Sequence, residues 1–151
     1  MARIAKKERT LTVEEKLAQA LVPDVEQPYW LPENWCWVYI GAIAKVLNGF
    51  AFKSAHYTDT GIRIVRITNV QDGYIEDDSP VFYPENSFCE IEKYLLKEND
   101  LLISLTGNVG RVAILPSSFL PAALNQRVGC LRTKDSTIIL KYLGTPNYAN
   151  A

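Results

Sequence analysis

From Trp35 onward the chain is cut by turn signals at short intervals: Asn48-Gly49, Asp72-Gly73, Asn99-Asp100, then Thr106-Gly107-Asn108-Val109-Gly110. What lies between such breaks has room for short strands and helical turns, not for long helices. Ile62-Arg63-Ile64-Val65-Arg66-Ile67 is the most β-branched of these segments and reads as a strand that closes before Asp72-Gly73. Within it, Arg63 and Arg66 lie three apart, so period-two alternation predicts that only one of them can face a given partner. Leu101–Leu105 and Arg111–Leu115 flank the glycine turn and read as a hairpin, and Arg127–Thr133 as a final strand. Trp37–Ile40 reads as a further strand, followed by a helical turn around Ala42 to Lys45. Ser87-Phe88-Cys89-Glu90 has the spacing of a capping box, which predicts a short helix with Phe88, Ile91 and Leu95 turned inward. Thr137–Leu143 has helical spacing and runs out at Gly144-Thr145-Pro146.

Ahead of this region the texture differs. Arg3, Lys6, Lys7 and Arg9 form a basic arm. Thr12-Val13-Glu14-Glu15 is a second capping-box pattern, and Val13, Leu17, Ala20 and Leu21 give one apolar stripe. A helix to about Val22 follows, stopped by Pro23. The connector from Asp24 to Asn34 contains Pro28 and Pro32. At 151 residues the whole chain has the length of one domain with its own core.

Several chemistries are excluded or poorly supported. No apolar run approaches the roughly 20 residues of a membrane span, and no apolar segment follows the basic start as a secretory signal requires. Cys36, Cys89 and Cys130 are odd in number and widely spaced, which predicts reduced, buried thiols and a cytoplasmic protein. The single histidine, His56, reads as a solvated loop residue and cannot build a His-rich metal site. No phosphate-loop motif is present, and a tight turn explains Gly107-Asn108-Val109-Gly110 at least as well as phosphate cradling. The carboxylates Asp77, Asp78, Glu90 and Glu92 belong to an acidic stretch and read as solvated. No catalytic residues, metal ligands or cofactor site are expected.

Charge is segregated although it sums to −1. Residues 72–100 hold nine acidic groups against Lys93 and Lys97, whereas residues 101–151 hold five basic groups against Asp135. Such an arrangement fits one face approaching phosphate and another turned away. Asn125-Gln126-Arg127 brings together three side-chain types that make bidentate contacts to base edges. Thr106, Asn108 and Arg111 surround the glycine turn, and Lys53, Ser54 and Tyr57 form a third polar loop after Phe50-Ala51-Phe52. Turn chemistry alone would also account for each cluster.

In their order along the chain, these blocks resemble the target recognition domain of type I restriction-modification specificity subunits. Leu31-Pro32-Glu33-Asn34-Trp35, with Trp37-Val38 and Ile43-Ala44, resembles the family's opening block. Gly49-Phe50-Ala51-Phe52-Lys53-Ser54 with Tyr57 resembles its G-x-x-F-K-S-x-x-Y loop, and Gly61–Val70 its strand ending in Arg66 and Asn69. Asn99–Gly110 resembles the block built on a strand and a G-x-x-G turn, and Asn125-Gln126-Arg127-Val128 the closing N-Q-r-v. Coverage is about residues 11–143.

The resemblance implies an α+β fold: a single mixed α/β recognition domain with a twisted, mainly antiparallel sheet and short helices, plus an N-terminal helix. It divides the chain into an arm, helix and connector (1–30), a DNA target recognition domain (31–136) and the start of a helical spacer (137–151). It implies a non-catalytic reader of double-stranded DNA that serves methyltransferase and restriction subunits, one half of a split target per domain. Implied contact residues are Lys53, Ser54, Tyr57, Arg66, Asn69, Thr106, Asn108, Arg111, Asn125, Gln126 and Arg127. S-adenosylmethionine would belong to the methyltransferase. Because the chain breaks at Gly144-Thr145-Pro146, where the family's long docking helices should begin, it is expected to be a monomer that does not readily dock methyltransferase or restriction subunits. A different class of function is a protein-interaction module that docks on methyltransferase or full-length specificity subunits through the basic arm and first helix.

Overall fold

The expected hairpin anchors the larger part of the fold. In the computed structural model, which describes residues 11–134, β4 (Leu101–Ser104) and β5 (Val112–Ile114) pair antiparallel around the glycine turn. Gly107 and Gly110 in that turn adopt φ of 67° and 90°, a region open to glycine at little steric cost. β7 (Val128–Thr133) pairs antiparallel with β4 and, on its other side, with β1 (Ala44–Asn48), giving the order β1-β7-β4-β5.

A second sheet is separate from the first. β2 (Ile62–Val65) is its centre, flanked by antiparallel β3 (Phe82–Tyr83) and parallel β6 (Ala122–Leu124). One twisted, mainly antiparallel sheet was expected; the strands are mainly antiparallel but form two sheets, with β2–β6 as the parallel pair. The reason is burial on both faces, as parallel strands favour. Ala122 and Leu124 enter one apolar cluster with Val65, Leu102, Leu115 and Val128, while Ala123 enters the other with Phe52, Ile62, Ile64, Tyr83 and Ile91.

The chain divides into two compact units at Ile43/Ala44. In the first, α1 (Val13–Ala20) carries the expected capping box: Glu15 N donates to Thr12 Oγ1 at 3.2 Å and Thr12 N to Glu15 Oε2 at 2.9 Å. The helix ends at Ala20, before Val22, because residues 20–22 turn to pair with the 37–39 segment: Val22 N donates to Trp37 O and Tyr39 N to Ala20 O. That pairing is one isolated bridge, Leu21–Val38, so Trp37–Ile40 is not a strand. The chain enters α2 (Ile40–Ile43) instead, and β1 begins at Ala44, where part of a helical turn was expected. Tyr29 and Trp37 meet edge to face at 4.9 Å, and Trp37 Nε1 donates to Tyr29 O.

Other local expectations shift for tertiary reasons. β2 stops at Val65 because Ile67–Asn69 coils into a 3₁₀ turn. α3 (Phe88–Ile91) buries Ile91, but Ser87 makes no side-chain cap and Phe88 is exposed, since a 3₁₀ turn over Glu85–Ser87 precedes it. Arg66 lies past the end of β2 and escapes strand alternation, so Arg63 and Arg66 both reach the 77–79 stretch. Among the described residues no helix is long and apolar enough to cross a membrane. The basic arm and Thr137–Leu143 lie outside the described residues.

The thiols were expected to be buried, yet Cys36 and Cys89 are exposed and only Cys130 is buried. Burial, assisted by the nearby Asp100 carboxylate, pushes the Cys130 thiol up. The folded chain therefore keeps a proton that an unfolded thiol releases, so this group costs stability as pH rises above the ordinary thiol value. Alkylation at pH 8 should label two thiols rapidly in the folded protein and the third only on unfolding. Mass spectra showing three equal rates would contradict this.

Candidate functional site

Strand register decides which loops meet. Asn48 lies opposite Gly129, Ile103 opposite Gly129, and Ser104 opposite Val128. The C-terminal ends of β1 and β4 and the N-terminal ends of β5 and β7 therefore share one end of the four-stranded sheet. The β4–β5 turn and the β6–β7 turn issue from that end. β2 and β6 deliver their own C-terminal ends to it, because Asn125 N donates to Val65 O at 3.1 Å.

Asn125-Gln126-Arg127 forms the β6–β7 turn. Asn125 is half-buried and its Oδ1 accepts from Arg127 N at 3.2 Å, so this amide shapes the turn while Gln126 and Arg127 project into solvent. Leu105 N donates to Arg127 O at 3.1 Å, which ties this turn to the glycine turn. On the other side, Gln126 N donates to Phe50 O and Phe50 N to Leu124 O.

The glycine turn is organised by a residue that the sequence pattern did not single out. Ser104, 1% exposed, donates Oγ to Asn108 O and accepts from Arg111 N at 3.0 Å. Thr106, Gly107, Asn108 and Arg111 then line a cavity of about 350 Å³ whose other wall is Ile67, Thr68 and Gln71. Thr68 and Gln71 were also missed; their only local signal was polarity after a β-branched strand. A larger hollow of about 560 Å³ in the first unit is walled by Trp30, Trp35 and Trp37, and its charged members are Asp24 and Glu33, a poor match for phosphate.

The remaining expected residues do not gather here. Lys53 and Ser54 are exposed and Tyr57 is half-buried against the second apolar cluster. Their loop adjoins Tyr83, whose hydroxyl lies 3.1 Å from His56 Nδ1 and whose strand partner is Ile62, at the far end of β2. His56, read as a solvated loop residue, is exposed yet has that partner.

Asn69 is occupied inside the fold and Arg66 in part, its Nε being buried without a hydrogen-bond partner among the described residues. Asn69 is 3% exposed; its Oδ1 accepts from Arg66 N, and its Nδ2 donates to Glu76 O at 2.8 Å and Asp77 Oδ1 at 2.9 Å. Arg66 Nη2 donates to Ser79 O at 2.7 Å. Two of the nine acidic groups of residues 72–100 are compensated internally: Asp77, which was read as solvated, also pairs with Arg63, and Asp100 pairs with Arg132. Arg111 and Arg127 form no ion pair with a carboxylate among the described residues, so positive charge collects at the shared sheet end.

The chain is similar to known proteins in sequence and in fold. Residues 32–145 match the family described as type I restriction modification DNA specificity domain. The specificity subunit of the Escherichia coli type I restriction enzyme EcoAI is 35% identical, over 95% of this chain and 26% of the relative. That of the Methanocaldococcus jannaschii enzyme MjaVIII is 28% identical, over 75% of this chain and 28% of the relative. The chain thus spans about a quarter of the length of these curated relatives. In fold it is similar to the HsdS subunit from Thermoanaerobacter tengcongensis, with a TM-score of 0.54 at 21% identity over 85% of this chain and 31% of that one. A structure from work on assembly and conformational transition of the type I R-M system aligns with a TM-score of 0.58 at 21% identity, over 78% and 29% of the two chains. By sequence match and by fold, this chain belongs to the type I restriction modification DNA specificity domain family.

Proposed function

We propose that this chain is a DNA-reading module that recognises one half of a split duplex target for methyltransferase and restriction subunits. The observation that carries this reading is the convergence of Thr106, Asn108, Arg111, Gln126 and Arg127 at one sheet end, where two arginines have no carboxylate partner among the described residues. Phosphate oxygens and base edges are the acceptors that such donors fit. In this role the chain does no chemistry. Methyl transfer, S-adenosylmethionine and base extrusion belong to the partners, and the setting is the cytoplasm.

A single reading module buries about 600–1,000 Å² on DNA. With few phosphate contacts and a net charge of −1, its own affinity should fall in the range of roughly 10⁻⁴–10⁻⁶ M. A gel-shift titration on random duplex at two salt concentrations tests the role, since counterion release should weaken binding steeply as salt rises. Arg127→Ala should cost about 1–3 kcal/mol of binding if it reads a guanine, with an unchanged melting temperature. A lowered melting temperature with unchanged affinity would instead give Arg127 a structural role.

One observation favours a second reading, a protein-interaction module. α1 buries none of its residues, and Val13 and Leu17 stay exposed. A chain of this kind would shift duplex at neither salt concentration.

A further inference from the structure

The arginines of the second unit are sorted by what holds them. Arg63 pairs with Asp77 and lies 5.3 and 4.9 Å from the ring centres of Phe82 and Phe119. Arg132 grips Asp100, and Arg66 donates to the Ser79 carbonyl. Arg111 is held by a neutral amide: its Nη1 donates to Gln71 Oε1 at 2.7 Å. Gln71 in turn donates Nε2 to Thr68 O at 2.9 Å, which fixes the amide with its oxygen toward the arginine.

Both ends of this contact are fastened. Arg111 is bonded to Ser104 through its N–H and its carbonyl, at 3.0 and 2.9 Å. Gln71 sits in a tight turn through its N–H to Tyr74 O, and that turn is tied to β5 because Gly73 N donates to Val112 O at 2.8 Å. Here the amide oxygen takes one guanidinium N–H and cancels no charge, whereas a carboxylate would engage the fork and neutralise it. The guanidinium is left oriented, charged and with donors to spare on the wall of the 350 Å³ cavity. Phosphate contact needs charge but little orientation. A bidentate contact to guanine N7 and O6 needs both, and gains from a side chain ordered beforehand.

Building on the DNA-reading role above, we infer that Gln71 is a positioning residue that holds the Arg111 guanidinium in place to read a guanine. Gln71 itself touches no base in this arrangement.

The test selects bound sequences from a random duplex pool with the 151-residue chain at one salt concentration, and repeats this for variants whose melting temperatures are measured in parallel. Arg111→Lys keeps the charge and loses the fork. It should lower the preference for guanine at one position about tenfold, as expected for a lost bidentate contact. Gln71→Ala should lower the same preference at the same position, and the double variant should lose little more, because the two residues act as one unit. Gln71→Glu, whose carboxylate would engage the fork and cancel its charge, should lower the preference at that position and weaken binding overall. Loss of the preference in Arg111→Lys but not in Gln71→Ala would overturn the positioning role. An even loss across all sequences in both would assign Arg111 to phosphate, and would overturn the inference while leaving DNA binding intact. A wild-type chain that enriches no sequence and shows no salt-dependent shift would overturn the DNA-reading role, and the inference with it.

Discussion

Replacing Asp100 with alanine should remove about 3–5 kcal/mol of folding stability, the penalty for deleting one partner of a buried ion pair. Asp100 is 2% exposed. Its carboxylate accepts from Arg132 Nε at 2.8 Å, Arg132 Nη2 at 2.6 Å and Lys97 N at 2.7 Å. Arg132 Nη2 also donates to Leu95 O at 2.9 Å, so one charge pair ties the segment ahead of β4 to β7. Asn99, at φ 66°, makes the tight turn that delivers Asp100 into this position. Without the carboxylate the half-buried guanidinium keeps only Leu95 O, and the Lys97 amide loses its acceptor. Hydrogen bonding to Asp100 raises the Arg132 pKa, with attraction to the carboxylate adding and burial opposing. A raised basic group contributes stability fully below its ordinary unfolded value and loses it only above, so Arg132 introduces no pH dependence near neutrality. Urea unfolding of Asp100→Ala and Asp100→Asn checks this, with the asparagine variant expected to lose less. A change under about 1 kcal/mol in both would put the pair in the class of surface bridges.

Gly49→Ala should be of similar severity, for a steric reason. A Cβ at Gly49 would lie 2.2 Å from both the carbonyl carbon and oxygen of Asn125 and 2.5 Å from Leu124 O. These are backbone atoms with no rotamer to yield. Relief requires parting Phe50 N from Leu124 O and Gln126 N from Phe50 O, which join the strand after β1 to the β6–β7 turn. Overpacking typically costs about 1–3 kcal/mol, and contact with fixed backbone should place this change at or above the upper end. Because the same turn carries Gln126 and Arg127, binding to duplex should fall along with stability. Gly41→Ala is the control: nothing lies within 4 Å of its Cβ position, and alanine is the better helix former, so stability should hold or rise slightly. Equal denaturation midpoints for Gly49→Ala and wild type would mean that the close approach is not maintained in solution.

How much was legible in the sequence depends on the range of each interaction. The Thr12–Glu15 capping box, the Asn99-Asp100 turn, the hairpin around Gly107 and Gly110 and the strand from Val128 were readable because each is settled within a few residues by sterics and local hydrogen bonds. The order of the polar blocks along the chain likewise carried the family resemblance without any structure. Tertiary structure alone decided the rest. It split the strands into two sheets and set β2 beside β6 in parallel across a long excursion of chain, with Ile64 and Val65 buried in different apolar clusters. It ended α1 early and denied Trp37–Ile40 a strand, because the available partner was a single bridge to Leu21. It also sorted the polar residues that looked alike in sequence. Asn69 and Arg66 were drawn into the fold by the 76–79 backbone, Tyr57 was packed against the second apolar cluster, and Arg111 met Gln71, forty residues away in the chain. Local pattern fixes what a residue can donate or accept; which acceptor it meets is set by long-range strand register, and that is a property of the folded chain.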